Sequence, residues 1–190
     1  EIADGEMINV AVPTGNFGNI LAAYFAKQMG VPIGKLICAS NDNKVLYDFF
    51  TTGTYDRNRD FILTNSPSMD ILISSNLERL IYLSTGCDAK KTAGLMADLA
   101  QKGSYEVTAD MKERMADFVG GFATQEEDAA AIRNLYEETG YVLDTHTGVA
   151  CAVYKSYQAA TGDKTKTVIA STASPYKFSR SVLEAITGQK

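Results

Sequence analysis

The sequence predicts an α/β fold: a doubly wound, mainly parallel sheet with an added helical lobe. Three observations predict it. Short β-rich apolar runs alternate with longer helical patterns near both ends of the chain. Glycines close the helical patterns one after another. The middle, 86–140, carries helical patterning and no strand run of comparable quality.

Residues 7–12 (MINVAV) are nearly all apolar, as in a strand buried on both faces. A helix follows over 19–29, with Gly30 at its C′ position and Pro32 just beyond. A second strand is expected at 36–39 (LICA), then a helix over 44–52 stopped by Gly53. The polar stretch 53–60 (GTYDRNRD) reads as an exposed loop. Residues 61–64 read as a short strand. A helix starting at Ser66-Pro67-Ser68 is expected to place Ile71, Leu72, Leu77, Leu80, Ile81 and Leu83 on one face.

Further helices are expected over 90–102, ending at Gly103, over 109–119 behind a Thr108 cap, and over 129–139, ending at Gly140. Thr124 and Glu127 form a capping-box signature before the last of these. A helix over 148–160, a last strand at 168–170 and a helix over 178–187 complete the chain. This order implies a parallel sheet with right-handed crossovers. The region 1–85 together with 141–190 would form the sheet, and 86–140 the helical lobe. Ligands of such sheets bind at the carboxyl ends of the strands. Two corners lie at such ends: 14–19 and 171–174 (STAS).

The 190 residues allow one large domain or two small ones, and 45% hydrophobic residues suffice for a core. No apolar run approaches the roughly 20 residues of a membrane span. No signal peptide is expected, and a start at Glu1 reads as an excised segment of a longer protein. A net charge of -5, with Lys and Arg scattered, argues against nucleic acid as a partner. Cys38, Cys87 and Cys151 form no C-x-x-C pair, and His146 has no ligand neighbour at useful spacing. Reduced thiols of a cytoplasmic protein are expected, with no metal site.

The corner Thr14-Gly15-Asn16-Phe17-Gly18-Asn19 carries the most chemistry. A helix start offers unpaired N–H groups and a partial positive charge. A glycine-rich turn into it lets those amides close around an anion. Gly15 and Gly18 permit positive φ or close approach, and Asn16 and Asn19 add amide donors or caps. The corner lacks the Lys-Ser/Thr of a P-loop and the G-x-G-x-x-G spacing. Two readings stand side by side here: an anion cradle, and a plain strand-to-helix turn that favours Gly and Asn for its own geometry.

The block VPTGNFGNILAAYFAKQMGVPIGKLICASNDNKVLYDFFTTGTYD resembles threonine synthases of the bacterial and fungal type. So do SPSMDILISSNLERLIY, GYVLDTHTGVA and VIASTASPYKFSRSV, in that order. The resemblance implies a pyridoxal-phosphate lyase of fold type II. Its full-length form would convert O-phosphohomoserine and water to threonine and phosphate, in threonine biosynthesis. Gly15, Asn16, Phe17, Gly18 and Asn19 would hold the phosphate of pyridoxal 5'-phosphate, and Thr172 would face the ring nitrogen. The family's Schiff-base lysine sits in a Phe-Lys-Asp motif that does not occur here. Lys177 falls in the family's tail motif and does not replace it. The resemblance therefore implies a carboxy-terminal portion, inactive alone, whose partners are the amino-terminal half and the small-molecule substrate. Strand edges left open would favour self-association.

Blander roles are expected elsewhere. His146, the single histidine, reads as a hydrogen-bonded packing residue ahead of a catalytic one. Asn76 and Arg79 read as residues of internal hydrogen bonds or a subunit contact, and Asn41-Asp42-Asn43 as a helix cap on the ligand side of the sheet. Two other functions fit the same residues: a fold-type-II serine/threonine dehydratase, or a non-catalytic anion-binding module.

Overall fold

The computed structural model describes residues 1–189. Strand β1 (Ile8–Pro13) leads through helix α1 (Gly18–Gln28) to β2 (Ile33–Ser40) and α2 (Val45–Thr52). A short strand β3 (Thr54–Asp56), a 3₁₀ turn (Pro67–Met69), α3 (Leu77–Ser84) and α4 (Ala89–Lys102) follow. Then come β4 (Ser104–Glu106), α5 (Ala109–Arg114), β5 (Phe118–Phe122), α6 (Gln125–Thr139) and α7 (Thr145–Thr161). Strand β6 (Thr167–Ile169), a 3₁₀ turn (Pro175–Phe178) and α8 (Ser179–Thr187) complete the order.

The main sheet is fully parallel, in the order β5-β2-β1-β6. Successive residues of a strand face opposite sides, so each central strand feeds two cores. Val12, Leu36 and Cys38 join Phe17, Ile20 and Leu21 on one face. Ala11, Ile37 and Ala39 join Val149, Ala150 and Val153 of α7 on the other. Helices thus cover both faces, as the doubly wound pattern requires. Gly53, Gly103 and Gly140 each end a helix with a left-handed residue. The Thr124–Glu127 capping box forms with both of its hydrogen bonds.

Several expectations change. Residues 61–64 form no strand. Their backbone pairs with side chains instead: Ile62 N–H donates to Asn43 Oδ1, Asn43 Nδ2 to Ile62 O, and Thr64 N–H to Asp70 Oδ2. The helix expected from Ser66 is only a single turn, and α3 starts at Leu77. The polar groups between are taken by other segments. Tyr55 Oη donates to Leu72 O, Ser74 N–H to Tyr55 Oη, and Asn76 N–H to Asn16 O. Tyr55 itself lies in β3, within the stretch read as an exposed loop, and is buried. It stacks on Tyr105 of β4 with centroids 5.3 Å apart.

The region 86–140 is not a helical lobe. It supplies β4 and β5, and the helix expected over 109–119 stops at Arg114. Strand β5 (FVGGF) pairs along its whole length with β2, from Leu36 to Ser40. Its glycines count against a strand in the sequence, yet packing demands them. A Cβ on Gly120 would lie 3.1 Å from Tyr47 Cα of α2, and one on Gly121 would run into Val153 Cγ1 of α7. The two helices press on β5 from opposite faces.

Candidate functional site

Strands β1 and β6 are parallel neighbours, with Val10 opposite Val168 and Ala11 opposite Ile169. Their following loops therefore open at the same edge of the sheet. Between them lies a cleft of ≈ 340 Å³, lined by the corner from Thr14 to Ile20 and by Ser68, Asn76, His146, Thr172 and Lys177. The structure thus brings together every sequence-predicted site residue: Gly15, Asn16, Phe17, Gly18, Asn19 and Thr172.

The corner is held by its carbonyls. Ser74 Oγ donates to Gly15 O at 2.7 Å, and Asn16 O accepts from Asn76 N at 3.1 Å and Asn76 Nδ2 at 2.8 Å. Its donors are left over. Among the described residues, no backbone N–H from Gly15 to Ile20 has an acceptor in the chain, and α1 carries no side-chain cap. These are the orphan donors of a helix start, extended through the preceding turn. Gly18, Asn16 and Asn19 are exposed, so solvent or a ligand reaches them.

The turn's conformation differs from expectation. Neither Gly15 nor Gly18 takes positive φ; Phe17 does, at 66°. A bulky residue there costs of the order of 1–3 kcal/mol. Its ring offsets that cost by full burial, 5.6 Å from the Phe118 ring and 6.0 Å from Phe50. Gly15 serves close approach, since a Cβ there would lie 2.7 Å from Ser68 O. Asn16 and Asn19 do not cap the helix.

His146 is buried, and both ring nitrogens are engaged. Ser68 N–H donates to Nε2 at 3.1 Å, and Nδ1 lies 3.2 Å from Asp144 Oδ1. The Ser68 amide can only donate, so Nε2 carries the lone pair and Nδ1 the proton. This is the bonding of a packing residue, in one wall of the cleft. Asp144 caps α7, accepting from His146 N–H at 2.8 Å and Thr147 N–H at 3.3 Å. Burial works to raise its carboxyl, but the bonds from His146 and Thr147 outweigh that and hold it below the usual carboxylate value.

Asn41 and Asn43 do not face the cleft and cap no helix. Both donate to Asp70 Oδ1, at 2.8 and 3.0 Å, tying down the segment after β3. Arg79 Nη1 donates to Asn76 Oδ1, so Asn76 links α3 to the corner. The signal for its role was its place in a quoted block; nothing in its local pattern shows it. Lys177 lines the cleft with Nζ 5.5 Å from the Phe178 centroid. Outside the cleft lining, Asp128 of α6 is buried with neither oxygen hydrogen-bonded. Burial chiefly raises its carboxyl to about 8, Asp144 adding to the effect and the Asn65 side chain opposing it. Cys38 is buried as well, which pushes its thiol up to about 12. Among the described residues no helix is long and apolar enough to cross a membrane.

No family model matches the chain. Human threonine synthase-like 1 is 44% identical over 188 residues, covering 97% of this chain and 25% of that protein. Threonine synthase of Saccharomyces cerevisiae is 38% identical over 200 residues, covering 97% of this chain and 39% of that protein. The crystal structure of pyridoxal-phosphate-bound threonine synthase from Brucella melitensis superposes with a TM-score of 0.89 at 39% identity. That match covers 96% of this chain and 39% of that one. The chain thus spans between a quarter and two fifths of the relatives' length, in their carboxy-terminal portion.

Proposed function

We propose that this chain, whose sequence and fold correspond to the carboxy-terminal portion of threonine synthases, holds the phosphate of pyridoxal 5'-phosphate on the amides of Gly15 to Ile20. The row of N–H groups without an acceptor, in residues that line the cleft, carries this reading. The residues fit the group. A phosphate needs several convergent donors and no competing carboxylate, and among the described residues no Asp or Glu lines this cleft. Gly15 lets the turn pack against Ser68 without a side chain in between. Thr172, across the cleft, would offer its hydroxyl to the ring nitrogen. A neutral partner there leaves the ring less protonated than a carboxylate would.

In the full-length protein the activity proposed is conversion of O-phosphohomoserine and water to threonine and phosphate. The bound cofactor would supply the electron sink for proton loss and phosphate departure. This chain's residues bind and orient it. Ser74, Asn76 and Ser68 brace the loop by its carbonyls and its Gly15 face, leaving the amides free. The lysine that bonds the cofactor and most substrate contacts are assigned to the amino-terminal half.

Release of inorganic phosphate from O-phosphohomoserine by the full-length protein tests the activity. Keto-acid formation from threonine without phosphate release would favour the dehydratase reading. Neither product, together with no uptake of pyridoxal phosphate, would leave the non-catalytic module.

A further inference from the structure

We propose that Asp144 is a positioning residue that holds both walls of the cleft, acting through His146 on the Gly15 loop and through Thr147 on the Ser171–Thr172 loop. The proposal rests on the reading that the Gly15 loop takes a phosphate. Asp144 is 1% exposed, and its two oxygens lead in different directions. Oδ1 accepts from the His146 ring, whose Nε2 in turn accepts from Ser68 N–H. The carbonyl of that same Ser68 abuts Gly15, 2.7 Å from where a Cβ would stand. Oδ2 accepts from the Thr147 hydroxyl, and Thr147 Oγ1 lies 3.5 Å from Ser171 Oγ. Ser171 precedes Thr172, the residue on the opposite wall.

Helix capping alone does not account for this arrangement. A cap needs only the backbone bonds from His146 and Thr147, which Asp144 already accepts. The two further side-chain bonds bury an imidazole and a hydroxyl that would otherwise cost free energy to desolvate. Both of those side chains point onward to a wall of the cleft. The Phe178 ring packs against the imidazole, with centroids 4.7 Å apart. A carboxylate, an imidazole and a peptide group in series fix where Ser68 sits, and Ser68 limits where Gly15 and its amides sit.

The test uses the 190-residue chain and two ligands without an aldehyde, which cannot bond to any lysine: 4'-deoxypyridoxine 5'-phosphate and 4'-deoxypyridoxine. The ratio of their dissociation constants reads the contribution of the phosphate. His146→Phe is expected to reduce that ratio by about tenfold, the worth of a hydrogen-bonded element lost from the loop's support. His146→Gln, whose amide oxygen can accept from Ser68 N–H, is expected to keep most of it. Thr147→Val is expected to weaken both ligands equally and leave the ratio alone. Should His146→Phe not fold, His146→Asn replaces it, since its shorter side chain keeps Asp144 and loses Ser68. A wild-type chain without preference for the phosphorylated ligand overturns the phosphate reading itself. A wild-type preference that survives unchanged in His146→Phe or His146→Asn overturns the His146 arm alone. Unchanged affinities in Thr147→Val overturn the Ser171 arm.

Discussion

Asp128→Asn should remove a specific pH dependence from the stability of this chain. Asp128 is wholly buried on α6, and neither carboxylate oxygen has a hydrogen-bond partner. Its carboxyl is raised from 3.8 to about 8, chiefly by burial. The sign follows from linkage. A group whose folded pKa lies above its unfolded value stabilises fully below the unfolded pKa, and that contribution is lost as pH rises towards the folded one. Between those limits the folded chain binds one more proton than the unfolded chain, so stability falls by about 1.4 kcal/mol per pH unit. Asparagine has nearly the same shape and does not ionise. The stability of Asp128→Asn minus that of the wild type should therefore grow by about 2–3 kcal/mol between pH 5 and pH 7. Taking the difference cancels the titrating groups that do not interact with Asp128 and any constant cost of the buried amide. Urea unfolding followed by circular dichroism at pH 5, 6 and 7 measures it. A difference that stays constant across that range refutes the reasoning, because it would mean that Asp128 titrates alike in both states.

Four further outcomes are expected. Gly15→Ala places a Cβ 2.7 Å from Ser68 O and 3.3 Å from Met69 Cα, both main-chain atoms, so thermal unfolding should show a loss of about 1–3 kcal/mol. Phe17→Ala removes a buried ring and should cost about 3–5 kcal/mol in urea unfolding, whereas Phe17→Gly should cost roughly 1 kcal/mol less than that cavity and propensity predict, since it relieves the positive φ. Gly121→Val should destabilise by at least about 1–3 kcal/mol, because α7 already touches that face of β5 through Val153. Thr172→Val should weaken binding of the pyridine ring by about 0.5–1.5 kcal/mol in calorimetry without altering the preference for a phosphorylated ligand.

The central part of the fold is legible in the sequence because its signals are local. Strand β1 is a nearly all-apolar run, α1 ends at a glycine, and the Thr124–Glu127 box needs only four residues to be read. Strand β5 is not legible, because Gly120 and Gly121 answer to helices that come from elsewhere in the chain. The same holds for 61–76, where the Asn43, Asp70 and Tyr55 side chains take backbone groups that a local reading assigns to a strand and a helix. At the site, the Gly-Asn corner announces free amides, and the quoted blocks single out Thr172. What the pattern hides is the support behind them. The left-handed Phe17 is held by aromatic packing from α2 and β5, and the Ser68–His146–Asp144 series joins residues far apart in sequence. Neither has a local signature.

The most direct measurement follows the amide resonances of the ¹⁵N-labelled chain during titration with 4'-deoxypyridoxine 5'-phosphate and, separately, with its phosphate-free counterpart. The account predicts that the amides of Gly15, Asn16, Phe17, Gly18, Asn19 and Ile20 shift with the phosphorylated ligand and stay in place with the other. Amides of that loop that remain unmoved while the phosphorylated ligand binds would contradict it.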